Sequence, residues 1–136
     1  MSKKYSLTIT EAQANVLIKA LDLYSRIGMG QLDEIKHIAV PAPKHKYKWV
    51  ELDQTMAILK IQLLGRSHIN TAHSIVSKDL PDQFRVAWDI QQVVRNRLAH
   101  DSLKPGEKPG ICVYFYEPRK TSKEPLPEIK QVEGKK

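Results

Sequence analysis

Apolar residues recur at helical spacing in three long stretches of the chain, and these stretches predict helices. The first follows Thr10–Gln13, a capping box whose threonine and glutamine side chains can satisfy free backbone donors at a helix start. We expect Gly28-Met29-Gly30 to interrupt this stretch before it resumes toward Pro41, which gives two helices or one kinked helix. A further helix is expected from about Trp49 to Leu64, with Gly65 as its stop.

The third stretch has the broadest apolar surface and predicts a central helix. Its start at Asp79–Asp82 places acidic residues at the positive end of the helix dipole and a proline in the first turn. Pro105 and Gly106 follow its end near His100. We expect the Asp82–His100 helix to be the centre of the fold and the interface of a homodimer. Residues 66–78, which precede it, are ambiguous and could include a short packed helix.

Two short segments near the ends of the chain have the pattern of β-strands. Tyr5, Leu7 and Ile9 alternate with polar residues, and Ile111–Tyr116 is rich in β-branched and aromatic residues. The sequence therefore predicts a mainly α fold, a four- or five-helix bundle with a small β-sheet formed by the N-terminal and C-terminal segments. We assign residues 1–116 to a single helical domain with short terminal strands, and residues 117–136 to a polar, proline-containing C-terminal tail.

Composition narrows the class of protein. The 136 residues carry 22 lysines and arginines against 15 acidic residues, a net charge of +7 that favours contact with polyanions. The single cysteine, Cys112, rules out an internal disulfide and is typical of a reducing compartment. No apolar run approaches the roughly 18 residues of a membrane span, and the start lacks the apolar core of a signal peptide. We expect a cytoplasmic protein without a membrane partner.

The loop Pro41–Trp49 interleaves lysines with aromatic side chains. Its lysines could neutralise phosphates, while Tyr47 and Trp49 offer faces on which unpaired bases could stack. The alternative is a solvated loop between helices, in which Trp49 anchors the next helix in the core. The candidate nucleic-acid or ligand-binding residues are Lys44, Lys46, Tyr47 and Lys48, together with Arg97.

The segment Arg95–His100 closes the predicted central helix. An arginine could hold a phosphate there, and a histidine, with an unperturbed pKa near neutrality, could move a proton at a ribose hydroxyl. His100 is rotated by roughly 140° from Arg95 about the helix axis, so the two side chains need not converge within one chain. If two copies pack these helices antiparallel about a two-fold axis, both arginines and both histidines could meet in one cleft.

This RNxxxH pattern resembles the arginine–four-residues–histidine signature of the HEPN superfamily (higher eukaryotes and prokaryotes nucleotide-binding domains). The resemblance implies a mostly helical bundle, usually dimeric, that often acts as a metal-independent RNase in toxin–antitoxin and phage-defence systems. It makes Arg95 and His100 catalytic, with Asn96 as their polar neighbour, and calls for no metal or other cofactor. It covers about one helix.

A second resemblance covers more of the chain. Residues 10–35 and 84–101 are similar to small uncharacterised proteins of tailed bacteriophages, which implies an accessory protein that acts on the host or its defences in the host cytoplasm. The function expected from both resemblances is that of a HEPN-like metal-independent RNase or RNA-binding protein. The alternative is a non-catalytic binder that inhibits or sequesters a host protein, a nucleic acid or a nucleotide.

Other interpretations of the same residues remain open. His100 could be an ordinary histidine at the negative end of a helix dipole, and Arg95 could pair with an acid such as Asp89 or Glu51. His68 and His73 lie five residues apart without a neighbouring carboxylate or cysteine cluster, so we expect no metal site. The chain has no glycine-rich phosphate loop, no GxSxG and no HExxH.

Overall fold

The computed structural model describes residues 3–65 and 72–133, and its regular structure is helical. The α-helices are α1 (Glu11–Gly28), α2 (Ile35–Ile38), α3 (Trp49–Leu64) and α4 (Asp82–Asp101), and 3-10 turns cover Leu32–Glu34 and Val113–Phe115. The mainly α prediction is confirmed. None of the helices in the described ranges combines the length and the apolar character that crossing a bilayer requires.

Helices α1 and α4 pack against each other and form the centre of the molecule. The Ser25 hydroxyl, which is fully buried, donates to the carbonyl oxygen of Phe84 at 2.9 Å. The Phe84 ring lies against Tyr24, with 4.9 Å between the ring centroids. A Cβ atom at Gly28 would lie 2.3 Å from the Phe84 ring, so the end of α1 can approach α4 this closely only because residue 28 is glycine.

The helix boundaries follow the capping signals in the sequence. The predicted capping box is present at the start of α1, where Gln13 N donates to Thr10 Oγ1 at 3.2 Å and Thr10 N donates to Gln13 Oε1 at 2.8 Å. α3 ends at Gly65, whose φ of 65° is the left-handed conformation that favours glycine. The break after α1 falls at Gly28–Gly30, as the sequence predicts.

The predicted β-sheet is wrong, because the described residues include no strand. Tyr5 and Leu7 are 89% and 78% exposed, and nothing pairs with the backbone of this N-terminal segment within the described ranges. The other predicted strand contains the 3-10 turn Val113–Phe115 instead. Two of its carbonyl groups bind a side chain, since Asn96 Nδ2 donates to the carbonyl oxygens of Tyr114 and Tyr116, both at 3.0 Å. Alternation alone cannot make a strand without a neighbouring backbone to pair with.

Residues 72–81, before α4, form turns and not the short helix that the sequence allowed. Arg85 of α4 holds these turns by donating to the carbonyl oxygens of Ile75 at 3.0 Å and Leu80 at 3.1 Å, and also to that of Ser77. Leu80, only 3% exposed, is the buried apolar residue of the segment. The segment therefore positions the start of α4 through one arginine.

Helix α3 lies at the edge of the molecule and contacts the Leu32–Glu34 turn. Lys36 of α2 links it to the rest of the chain, because its ammonium group pairs with Asp53 of α3 and, at 3.1 Å, with Asp33. These two hydrogen bonds raise the pKa of Lys36, Asp53 having the larger effect. Several apolar side chains of α3 remain exposed, namely Val50, Ile58, Ile61 and Leu63.

Candidate functional site

Three predicted catalytic residues, Arg95, Asn96 and His100, lie on the last turns of α4 and contact the same short piece of chain. The guanidinium carbon of Arg95 lies 4.9 Å from the centroid of the Tyr114 ring. The His100 ring meets Phe115 edge-on, with 5.4 Å between the centroids and 83° between the planes. All three therefore border the turn at 113–116, which is the common neighbour that brings them together.

Asn96 holds this turn in place. Its amide nitrogen has two hydrogens, and the carbonyl oxygens of Tyr114 and Tyr116 accept one each. The donors of Asn96 are thus used within the chain, and the residue positions the polypeptide beside Arg95. The sequence suggests a polar neighbour for catalysis at this position, whereas the geometry gives Asn96 a positioning role.

Arg95 donates no hydrogen bond to any acceptor in the described part of the chain. It forms no ion pair there, and its Nε is buried without an acceptor. Neither acid that the sequence offers as a partner is used, because Asp89 accepts from Thr121 and Ser122, and Glu51 pairs with Lys48 at 3.5 Å. A half-buried guanidinium without a carboxylate is suited to receive an anion from outside.

The segment of residues 114–123, here called the strap, runs antiparallel to α4 along one side of the helix. Four polar side chains spaced along α4, those of Asp82, Asp89, Gln92 and Asn96, form hydrogen bonds to it. Gln92 exchanges two hydrogen bonds with the backbone of Arg119, at 3.1 Å to its carbonyl oxygen and 3.3 Å from its N–H. Nearer the start of the helix, the carboxylate of Asp82 accepts from Lys123 N at 3.2 and 3.3 Å. The predicted tail is therefore attached to the helix as far as residue 123.

Asp89 anchors the strap, whereas the sequence offers it only as a possible partner of Arg95. Only 2% of this residue is exposed, yet its carboxylate is satisfied by backbone and hydroxyl donors. Thr121 donates from N at 2.9 Å and from Oγ1 at 2.7 Å, and Ser122 does so at 2.9 Å and 2.7 Å. The signal in the sequence was an acid within the apolar surface of a helix, but nothing local identified the threonine and serine that it meets.

A cleft of about 460 Å³ lies between α4 and the strap. It is lined by Gln92, Arg95, Val113, Tyr116, Glu117, Pro118 and Arg119. The Gln92 amide is occupied by the backbone of Arg119, and Arg119 is an exposed residue of the cleft lining. That side chain has no ion pair among the described residues, and the cleft is consequently bordered by two arginines without carboxylate partners.

Arg97 and His100 lie outside this cleft lining. Arg97 Nε pairs with Asp101 Oδ2 at 2.9 Å, four residues along the same helix. A nucleic-acid contact by Arg97 would have to compete with this pair. His100 is exposed in the last turn of α4.

The loop before α3 presents the other predicted binding residues. Lys44, Lys46 and Lys48 are exposed, and Tyr47 is fixed by a hydrogen bond of 3.0 Å from its hydroxyl to the carbonyl oxygen of Ala39. Its ring lies between two others in an aromatic row, with centroid distances of 5.8 Å to His45 and 5.1 Å to Trp49. Trp49 is 51% exposed, so it does not anchor α3 in the core.

Metal ligands do not gather in the described ranges, where no group of three or more histidine, cysteine, aspartate or glutamate side chains could hold an ion. His73 donates its backbone N–H to the carbonyl oxygen of Met29 at 2.7 Å. His68 lies outside the described residues. Cys112 is exposed just before the Val113–Phe115 turn.

The chain has no match among protein-family models, and no curated protein or solved structure is significantly similar to it.

Proposed function

We propose that this protein binds single-stranded nucleic acid, RNA in the first place, through the loop Lys44–Trp49. The observation that carries the proposal is the arrangement of this loop, in which exposed lysines alternate with a packed row of aromatic rings. Lysines follow a phosphate backbone irrespective of its sequence, and aromatic faces stack on any base. The net charge of +7 adds a general attraction to polyanions.

The aromatic row favours single-stranded nucleic acid over a duplex as the ligand. Stacking needs bases that are not already covered by neighbours in a helix, and a half-exposed Trp49 at the end of the row offers such a contact. The hydrogen bond from Tyr47 to Ala39 fixes the middle ring before any ligand arrives, which lowers the entropy lost on binding. The exposed lysines carry the charge beside these rings, and a phosphate at Lys48 would replace its solvent-exposed pair with Glu51.

A charge-matched comparison tests the proposal. Affinity for a single-stranded RNA 12-mer is measured by fluorescence anisotropy at several salt concentrations, for the native protein and for the triple variant K44A/K46A/K48A. Each lysine–phosphate contact on a single strand contributes about 0.7 to the salt slope, so the variant should lose about 2 from the slope and bind at least tenfold more weakly. The control K104A/K108A/K130A removes the same charge elsewhere and should bind nearly as the native protein does. Equal losses in the two triple variants would contradict a specific role for the loop.

Metal-independent RNA cleavage by Arg95 and His100 is the second candidate. It is favoured by one observation, that Arg95 has no carboxylate partner in the described ranges while His100 is exposed on the same end of α4. In this reaction the ribose 2′-oxygen attacks the adjacent phosphorus as His100 takes its proton, and the bond from phosphorus to the 5′-oxygen breaks as that oxygen takes a proton from water, giving a 2′,3′-cyclic phosphate and a 5′-hydroxyl. Two copies of α4 in a homodimer would supply a complete site.

Cleavage is tested in EDTA with the native protein and H100A, alongside the solution mass of each. The expected result is a dimer that makes cyclic-phosphate ends, and a dimeric H100A that does not. Native protein that binds RNA without cutting it, or that is monomeric at the concentrations used, would remove this second candidate and leave the binding proposal intact.

A further inference from the structure

We infer that the cleft between α4 and the strap binds a phosphate monoester, the group shared by free nucleotides and phosphorylated ends of oligonucleotides. For an oligonucleotide the inference rests on the proposed function, and for a free nucleotide it stands without it. The site uses none of the loop residues. Its recognition elements are the guanidinium groups of Arg95 and Arg119, with Tyr116 beside them.

The charges of the lining favour an anion. Arg95 and Arg119 make no ion pairs to the described residues, and Glu117 is the one acid in the lining. Guanidinium groups are always protonated near neutral pH and present paired N–H donors that match the oxygens of a phosphate. Two such groups suit the two negative charges of a monoester better than the single charge of a diester within a chain.

Arg95 is oriented for this contact before a ligand arrives. Its guanidinium lies over the ring of Tyr114, and the carbonyl oxygen of Tyr114 is itself held by Asn96. Stacking covers the flat face of a guanidinium and leaves its N–H groups directed along the plane, toward the sides. The Nε of Arg95 is buried without an acceptor, an arrangement that costs free energy until an acceptor is supplied. An oxyanion in the cleft would place acceptors beside this guanidinium.

Arg119 is placed by its backbone, which leaves its side chain free to bind. Gln92 accepts from the N–H of Arg119 and donates to its carbonyl oxygen, so the residue is fixed to α4 independently of its side chain. Replacing Arg119 with alanine should therefore remove a ligand contact while the strap stays attached. Arg119→Ala is therefore more informative than a substitution of Arg95, which packs on Tyr114, because it tests ligand binding without disturbing the fold.

The size and the aromatic lining agree with a nucleotide. A cleft of about 460 Å³ lies within the range of roughly 300–1,000 Å³ that small-molecule sites occupy. Tyr116 lines this cleft while 57% of its surface remains exposed, so its ring offers a face to a base. Inorganic phosphate alone would use the arginines but not this ring.

The test compares ligands that differ by one phosphate. Isothermal titration calorimetry measures adenosine 5′-monophosphate against adenosine, and anisotropy measures an RNA 10-mer with a 5′-phosphate, a 3′-phosphate or neither. The expected advantage of a phosphorylated ligand is about a hundredfold, because each of two charge-assisted contacts contributes roughly tenfold. R119A should reduce this advantage to about tenfold, because the Arg95 contact remains, whereas K120A, which removes an adjacent charge outside the lining, should retain it in full.

The two arms identify the source of the phosphate. An advantage confined to the mononucleotide supports a free nucleotide as ligand, and one confined to the oligonucleotide supports a phosphorylated end. Failure of every 10-mer to bind would overturn the proposed function. The comparison of adenosine 5′-monophosphate with adenosine would then be the only test of whether the cleft binds phosphate. The inference is overturned if phosphate gives no advantage in either arm, or if R119A keeps the full advantage. The variant K44A/K46A/K48A should weaken all 10-mers equally and preserve the phosphate effect.

Discussion

The loop Lys44–Trp49 and the cleft between α4 and the strap are both basic, but they hold their charge in different ways. The loop carries lysines on exposed backbone, and its order comes from contacts between neighbouring rings and one hydrogen bond to Ala39. The cleft carries arginines, one on a packed helix and one on a backbone that is fixed by Gln92. Flexible point charges suit any phosphate chain, whereas fixed planar donors suit one particular group. The comparison predicts broad affinity in the loop and selectivity in the cleft.

Asp89→Ala should have the largest effect, because it should disrupt the cleft and leave RNA binding by the loop intact. The buried carboxylate satisfies donors of Thr121 and Ser122, and its loss would leave those donors buried or free the strap. We expect the free energy of unfolding to fall by about 2–4 kcal/mol in urea denaturation, and nucleotide binding in the cleft to be lost. RNA binding by the loop should persist. Asp101→Ala, which removes an exposed acid of the same helix, is the control and should change stability by under about 1 kcal/mol. A stable D89A variant that still binds nucleotide would contradict the role given to the strap.

Trp49→Ala should produce the converse effect. The half-exposed ring at the end of the aromatic row would be lost, and base stacking is worth about 1–3 kcal/mol per base by alanine substitution. We expect RNA affinity to fall roughly tenfold while the preference for phosphate in the cleft is unchanged. Trp49→Phe keeps an aromatic face and should recover much of the affinity. If W49A and W49F bind alike, stacking is not what the row contributes.

Alkaline pH should loosen the attachment of α3, the helix that follows the loop, at a lower pH than it affects the cleft. This is the smallest expected effect. Lys36 joins α3 to the preceding turn, and the hydrogen bonds that it donates to Asp53 and Asp33 raise its pKa above the ordinary value of 10.5. A lysine with a raised pKa contributes stability that is complete below its unfolded value and is lost as the pH rises through its folded value. The hydrogen-exchange protection of α3, corrected for the intrinsic base-catalysed rate, should therefore fall above about pH 10.5 in the native protein, whereas Lys36→Met should show no such fall. An equal pH response in both proteins would mean that other groups govern the attachment of α3.

The helices were predictable because their signals are local. The capping box at Thr10–Gln13, the glycines after α1 and Gly65 after α3 each act within a few residues of the boundary that they set. The same holds for the loop, since an alternation of lysines and rings is visible in the sequence itself. Its ring-to-ring packing required only that neighbours along the chain also be neighbours in space.

The strap and the cleft were not predictable, because the pairs that build them are distant in sequence. Asp89 meets Thr121 across 32 residues, and Gln92 meets Arg119 across 27. None of these side chains carries a pattern that selects its partner. The strand prediction failed for a related reason. Residues 111–116 have the composition of a strand, but the backbone that they would pair with is replaced by the side chain of Asn96.

The strap is attached to α4 mainly by its backbone, so its side chains can be replaced without detaching it. Gln92 and Asn96 bond only to main-chain atoms of Tyr114, Tyr116 and Arg119, which every non-proline residue possesses. Substitutions at those three positions would therefore leave the attachment intact while altering what the cleft presents to a ligand. Descendants of this chain could acquire new ligand preferences through the strap alone, with the α1–α4 core conserved as a common support.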